Sequence, residues 1–92
     1  MLLPAGTVVT LNGISKKVMI IGICQAGLDG IGHDYSAVPW PEGFLSTDKI
    51  ILFDDAQIQY VHYCGMQDRE QMIFGKTVSE KWIEKKGENK NA

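Results

Sequence analysis

The chain has 92 residues, of which 45% are hydrophobic and 22% charged, and its formal net charge is −2. A chain of this length forms one domain that buries roughly 60–65% of the surface of its unfolded state. The small negative charge excludes a general electrostatic attraction to nucleic acids or to anionic membranes.

The charges are unevenly distributed along the chain. Residues 1–75 carry four Lys or Arg against eight Asp or Glu, a net charge of −4, whereas residues 76–92 carry five against three, a net charge of +2. An acidic body with a basic C-terminal part favours contact with a protein partner, or contact of the tail with its own body.

The N-terminus and the cysteines bear on the compartment. Met1-Leu2-Leu3-Pro4 lacks the basic start and the apolar run of a signal peptide, and the longest apolar run, residues 18–24, is far shorter than the ~20 residues of a membrane helix. Cys24 and Cys64 lie in apolar, strand-like surroundings, where we expect free, buried thiols. We therefore expect a cytoplasmic protein, although the sequence leaves a single disulfide open.

The first part of the chain predicts strands joined by turns. A β-branched run at residues 7–11 predicts the first strand, and Asn12-Gly13 is a strong hairpin signal that here begins a longer loop. Residues 18–24 are apolar on both faces, which predicts a central strand or one that curls into a barrel. Gly22 could mark the bend that closure of a barrel requires.

Residues 34–43 are the most rigid stretch of the sequence. Pro39 and Pro41 hold Val38 and Trp40 in extended geometry, which predicts an edge strand that runs into a tight turn. We expect Trp40 in the core because its side chain buries a large apolar area. Contact with a partner is the alternative for Trp40.

The remaining β elements are short. Residues 49–53 predict a fourth strand, and residues 59–64 predict a fifth. Between them, residues 54–58 predict a single helical turn with Asp54 or Asp55 as its N-cap.

After Gly65 the sequence takes a helical period. The predicted helical segment covers residues 68–86. We expect Gly75 to cap or break it, because residues 77–80 have the form of a capping box that restarts a helix.

Phe74, Val78 and Trp82 are spaced by four and would share one helix face, which packing within the protein explains more readily than partner binding. Together the elements predict a mostly β protein with α, namely a small five-stranded SH3-like barrel followed by a C-terminal helical segment. The barrel covers residues 3–65 of a single domain, residues 1–86, and residues 87–92 are predicted to be a disordered tail.

Several residue groups could carry chemistry, and each has a simpler explanation. A zinc site built from both Cys and His ligands would lack the paired cysteines that structural zinc sites usually have. Nothing in the sequence marks either cysteine as an activated nucleophile. Capping explains the adjacent carboxylates. We therefore predict no catalytic, cofactor-binding or metal-binding residues. The groups weighed are Cys24, His33, His62 and Cys64 for the metal and nucleophile, and Asp54 and Asp55 for acid–base chemistry.

A nucleic-acid site is a further alternative. Tyr35, Trp40, Lys16 and Lys17 could supply stacking aromatics and cations, as small barrels often do. The acidic body argues against it. The glycines of residues 27–32 lack the Lys-Ser/Thr of a phosphate-binding loop and lead into a strand.

Five motifs follow one another along residues 3–74. They are Leu3-Pro4-x-Gly6-Thr7-Val8-Val9-x-Leu11, Lys16-Lys17-x-Met19-Ile20-Ile21-Gly22, Asp34-Tyr35-x-x-Val38-Pro39-x-Pro41-Glu42-Gly43, Phe53-Asp54-x-x-x-Ile58-x-x-Val61 and Gly65-Met66-x-Asp68-x-Glu70-x-x-x-Phe74. On these motifs the chain resembles the domain of unknown function 4176 family, and the third motif is the most specific. Trp40 and Met66 depart from the tyrosine-like aromatics of the family pattern, and residues 75–92 lie outside it.

Members of that family are small cytosolic proteins of Gram-positive bacteria, encoded beside LXG-type polymorphic toxins of type VII secretion systems. The resemblance implies a non-catalytic accessory protein, a chaperone or adaptor that binds the toxin before export. An immunity protein that neutralises a toxin domain is the first alternative, and a nucleic-acid-binding small barrel is the second. No cofactor is expected, and a homo-oligomer is left open. The candidate residues for partner contact are Tyr35, Trp40, Phe74 and Trp82.

Overall fold

A computed structural model describes residues 2–26 and 30–90, of which residues 25–26 and 83–90 are described by their backbone alone. This part of the chain forms five strands, two short 3-10 turns and one helix. The 3-10 turns are Thr47–Lys49 and Asp55–Gln57. The strands and the helix are β1 (Val8–Leu11), β2 (Val18–Ala26), β3 (Gly32–Pro39), β4 (Ile51–Phe53), β5 (Ile58–Tyr63) and α1 (Arg69–Lys90).

The strands form one antiparallel sheet in the order β4-β3-β2-β1-β5. The prediction of a mostly β protein with five strands and a C-terminal helix is confirmed. The sheet, however, is open: within the described residues, β4 and β5 are its two edges and do not pair with each other. β4 has three residues, which pair with the middle of β3. An edge strand this short offers few backbone hydrogen bonds with which β5 could close a barrel.

β3 lies inside the sheet, so the prediction of an edge strand is wrong. It pairs with β2 from Val18↔Pro39 to Ala26↔Gly32, and with β4 on its other side. The reason is that β4 pairs only with residues 35–37, before the prolines, where every residue has a backbone donor. A register shift between Ile20 and Gly22 lies where the sequence predicts a bend in β2.

The core lies on one face of the sheet, which we call the inner face. Its residues alternate along β1, β2 and β3, as the period of a strand requires. The buried cluster consists of Val9, Leu11, Val18, Ile20, Tyr35, Ala37 and Phe53. Val8 and Val38 are also buried, but they lie outside this cluster and belong to the opposite, outer face.

The helix α1 is continuous through Gly75, so the predicted interruption there is wrong. A glycine inside a helix costs only about 1 kcal/mol relative to alanine, which packing of the helix can offset. Residues that are buried or half-buried recur at helical spacing, namely Gln71, Gly75, Val78, Ser79 and Trp82. Phe74, four residues before Val78, is exposed.

The ends of α1 also differ in part from the prediction. Asp68 Oδ1 accepts a hydrogen bond from Gln71 N–H at 2.8 Å, so Asp68 opens the helix as the sequence predicts. At the other end, the backbone of residues 87–90, predicted to belong to a disordered tail, continues the helix to Lys90. Residues 91–92 of that predicted tail lie outside the described residues.

Trp82 fastens the helix to the sheet. Its indole ring lies against Gly32, where a Cβ atom would overlap the ring, and its Nε1–H donates a hydrogen bond to Asp34 Oδ1 at 2.9 Å. The side chain of Trp82 therefore has a structural role between α1 and β3. Along residues 2–26 and 30–90, we find no helix with the length and apolar character needed to span a bilayer.

Candidate functional site

A polar network joins the start of β3 to the β4–β5 connection. Asp34 N–H donates to Asp54 Oδ1 at 2.9 Å, and Asp55 N–H donates to Asp34 Oδ2 at 3.0 Å. Asp54 is the N-cap of the turn Asp55–Gln57, as the sequence predicts. These carboxylates therefore bind backbone donors and hold two chain segments together.

Tyr35 belongs to this network and is fully buried, so its side chain offers no surface to a partner. Its hydroxyl donates to Asp55 Oδ1 at 2.8 Å and accepts a hydrogen bond from Leu3 N–H at 3.0 Å. Its ring lies 5.3 Å from that of Phe53, centroid to centroid. The phenol thus connects the N-terminal segment to the turn before β5.

Replacing Tyr35 by Phe is expected to lower the free energy of unfolding by about 1–2 kcal/mol at neutral pH, because both hydrogen bonds of the hydroxyl are lost. Burial raises the pKa of the Tyr35 phenol far above its ordinary value, and the hydrogen bond to Asp55 and the negative charges of Asp55 and Asp34 raise it further, against the lowering effect of Leu3 N–H. The folded state thus keeps the proton that the unfolded chain loses above about pH 10.

The contribution of the Tyr35 hydroxyl is therefore complete below about pH 10 and is lost as the pH rises further. We expect the difference between wild type and Y35F to shrink by about 1.4 kcal/mol per pH unit above that point. Urea unfolding between pH 7 and 11 measures it. Tyr63→Phe, at an exposed position, is the control and should change stability by less than about 0.5 kcal/mol. A pH-independent difference for Y35F would contradict the assignment.

The candidate zinc residues are not brought together. His33 lies on β3 and His62 on β5, and β2 and β1 separate these strands in the sheet. Residues 2–26 and 30–90 contain no group of three or more His, Cys, Asp or Glu able to hold a metal ion. Cys64 is exposed and Cys24 is half-buried, so the prediction that both thiols are buried is wrong.

The outer face of the sheet carries a cleft of about 460 Å³, which we call the outer cleft. Its floor follows from the strand register, because Val8 pairs with Met19 on one side and with Tyr63 on the other. Residues that are paired across antiparallel strands project to the same face. The outer cleft is lined by Gly6, Val8, Lys17, Met19, Trp40, His62 and Tyr63.

Trp40 forms one wall of the outer cleft, so the expectation that it lies in the core is wrong. Its side chain is 42% exposed. The backbone N–H of Trp40 donates to the Lys17 carbonyl oxygen at 2.9 Å, and the backbone N–H of Gly43 donates to the Pro39 carbonyl oxygen at 2.8 Å. The second of these bonds closes a tight turn, and the Trp40 side chain lies on the outer cleft and outside the inner core.

His62 and Tyr63 form the opposite wall. The Tyr63 side chain is 65% exposed, and the His62 ring packs edge-on against Tyr60 with centroids 4.8 Å apart. No sequence motif predicts that Met19, His62 and Tyr63 share this surface. Their common face depends on the register shifts between β1 and β5, which no local pattern reveals.

The electrostatics of the outer cleft depend on two adjacent lysines. Lys16 Nζ lies 2.7 Å from Glu42 Oε1, and this hydrogen bond lowers the pKa of the Glu42 carboxyl. Lys17 lines the cleft instead, and the described residues give it no acidic partner. None of the described residues that line the cleft is acidic, so its one lysine gives it positive character.

A second exposed apolar surface lies on the first turns of α1. Met72, Ile73 and Phe74 are exposed, Phe74 by 57%, and Met66 precedes them. We call these four residues the helix patch. The hollow beside it is lined by side chains of both charges, including Asp68, Arg69, Lys76 and Glu80. Of the predicted contact residues, the structure thus exposes Trp40 and Phe74 on separate surfaces.

Comparison with known protein families identifies the family of this chain. A family model described as "Domain of unknown function (DUF4176)" matches residues 2–74, a span that contains the whole sheet, the outer cleft and the helix patch. No curated protein and no solved structure matches the chain.

Proposed function

We propose, from the premise that the chain belongs to the DUF4176 family, that it is a non-catalytic accessory protein that works by binding another protein. The partner proposed is an LXG-type toxin of a type VII secretion system, and the role is that of a cytoplasmic chaperone or adaptor that holds the toxin before export. The family pattern of the sequence motivates the choice of partner.

The exposed aromatic and apolar side chains are the observation that carries this proposal. Trp40 and Tyr63 flank the outer cleft, and Met72, Ile73 and Phe74 lie exposed on α1. Exposed apolar surface of this kind marks protein–protein interaction sites in soluble proteins, and Trp and Tyr are enriched among the residues that dominate binding energy.

The finer fold assignment, an SH3-like barrel, is part of the proposal. Five antiparallel strands, a short helical turn directly before β5 and the register shift next to Gly22 support it. The open edges β4 and β5 would have to approach each other for the barrel to close.

Co-expression of this protein with LXG-type toxins tests the function. We expect the two chains to co-purify as a stable complex, and we expect the toxin to become more soluble or better exported. The absence of a complex with any such toxin would overturn the proposal.

The immunity alternative is separated from the chaperone role by the activity of the toxin. An immunity protein inhibits the isolated toxin domain, whereas a chaperone changes solubility or export and leaves that activity intact. The nucleic-acid alternative predicts tight, strongly salt-dependent binding of a single-stranded oligonucleotide.

A further inference from the structure

We infer that the outer cleft is the surface that receives the partner, and that the partner supplies an apolar or aromatic side chain beside a carboxylate. This inference rests on the proposed function and deepens it, because it names a surface and the chemistry of the segment that binds there. The segment is part of a protein partner, and its carboxylate pairs with Lys17.

The shape of the outer cleft suits the insertion of a side chain. Val8 and Met19 form an apolar floor, and Trp40 faces His62 and Tyr63 across it. The volume of about 460 Å³ lies within the range of concave binding sites, roughly 300–1,000 Å³. An inserted apolar group would be surrounded by aromatic walls and lose its contact with water, which is the environment of interface residues that contribute most to affinity.

The charge of the outer cleft selects the partner's polar group. Residues 1–75 carry a net charge of −4, yet the lysine at the cleft lies among described lining residues of which none is acidic. Glu42 accompanies Lys16 and not Lys17. A carboxylate placed at Lys17 next to buried apolar groups would be partly desolvated, where a charge-assisted hydrogen bond is stronger than in water.

A protein segment fits this charge better than a nucleic acid does. Binding of a polyphosphate backbone draws its affinity from several cations, each of which releases counterions. The described lining of the outer cleft supplies one lysine, and the lysine next to it is bound to Glu42. An acidic, apolar protein segment needs only that single charge.

Two neighbouring lysines provide a test position and a matched control. Lys17→Glu reverses the charge at the outer cleft, and Lys16→Glu makes the same change at the adjacent residue, outside the described lining. Lys17→Arg keeps the charge. Affinity for the co-expressed LXG toxin is measured for wild type and the three variants by titration calorimetry at two salt concentrations, after thermal unfolding has shown that each is folded.

We expect K17E to weaken binding at least tenfold, K16E to weaken it less than threefold, and K17R to bind within threefold of wild type. Equal effects of K17E and K16E, or no effect of K17E on a toxin that wild type binds, would overturn the inference and leave the proposed function standing. A wild type that binds no toxin would overturn the proposed function itself, and the inference with it.

A parallel titration with an oligonucleotide tests whether the partner is a nucleic acid. A single-stranded oligothymidine is titrated into wild type and K17E under the same conditions. We expect no binding at physiological salt. Tight binding that K17E abolishes would overturn the assignment of the outer cleft to an acidic protein segment.

Discussion

Replacing Gly65 by Ala is expected to lower the free energy of unfolding by about 3 kcal/mol, the largest effect on stability that we predict for a single methyl group. A Cβ atom at this position would overlap the carbonyl oxygen of Ala5 and lie 3.1 Å from Thr7 N. Both neighbours are backbone atoms, which cannot move aside as a flexible side chain can. Gly65 N–H also donates a buried hydrogen bond to Thr7 Oγ1 at 2.9 Å, which a shift of residue 65 would weaken.

Urea unfolding of G65A measures this effect, and Gly75→Ala is the matched control. The nearest atom to a Cβ at residue 75 is Gln71 Nε2 at 3.5 Å, an ordinary contact at the end of a flexible side chain. Because alanine is the better helix former, G75A should raise the free energy of unfolding by about 0.5–1 kcal/mol. The close approach of residues 5–7 to Gly65 would be contradicted if G65A lost less than about 1 kcal/mol.

Replacing Trp40 by Ala is expected to reduce the affinity for the proposed partner protein by at least about 2 kcal/mol, or roughly 30-fold. The same change should alter the free energy of unfolding by less than about 1 kcal/mol, because the indole is 42% exposed and lies outside the inner core. The expected result is thus a folded protein that no longer binds.

Phe44→Ala provides the control for W40A. Phe44 is an exposed aromatic residue in the segment after β3, and it does not belong to the described lining of the outer cleft. F44A should leave the affinity unchanged within twofold. Failure of W40A to fold would show that Trp40 belongs to the core. Normal binding by W40A would show that Trp40 is not part of the interface.

Local signals were sufficient for much of the fold. The β-branched run of β1, the turn residues Asn12-Gly13, the capping residue Asp54 and the helix start at Asp68 act through their own backbone and near neighbours. The sequence therefore locates them to within a few residues. The register shift next to Gly22 belongs to the same class, because glycine tolerates irregular backbone conformations that other residues avoid.

Features that depend on distant contacts were predicted less well. The prolines after β3 suggested an edge strand, but β4 pairs with residues 35–37 before the prolines begin. Helix α1 passes through Gly75 because a long helix with Trp82 anchored on Gly32 and Asp34 tolerates a glycine that would end a short one. In both cases tertiary pairing outweighs a local preference.

The candidate site was only partly accessible to sequence reasoning. Tyr35 and Trp40 stand close together in one motif, yet one is fully buried in the inner core and the other is exposed on the outer face. Tyr35 lies within β3, whereas Trp40 follows the end of β3 and belongs to the turn. Met19 and Tyr63 reach the outer cleft through strand register, which is a property of the assembled sheet.

The central claim is that a protein partner binds at the outer cleft, and side-chain NMR spectra of the complex test it most directly. The chain has two tryptophans, and each indole N–H reports a different place: Trp40 the outer cleft, and Trp82 the contact of α1 with Asp34. The methyl groups of Met19 and Met72 report the outer cleft and the helix patch in the same way. On addition of the proposed partner, an LXG-type toxin, we predict shifts for Trp40 and Met19 and none for Trp82 and Met72. Shifts confined to Trp82 and Met72 would contradict the claim.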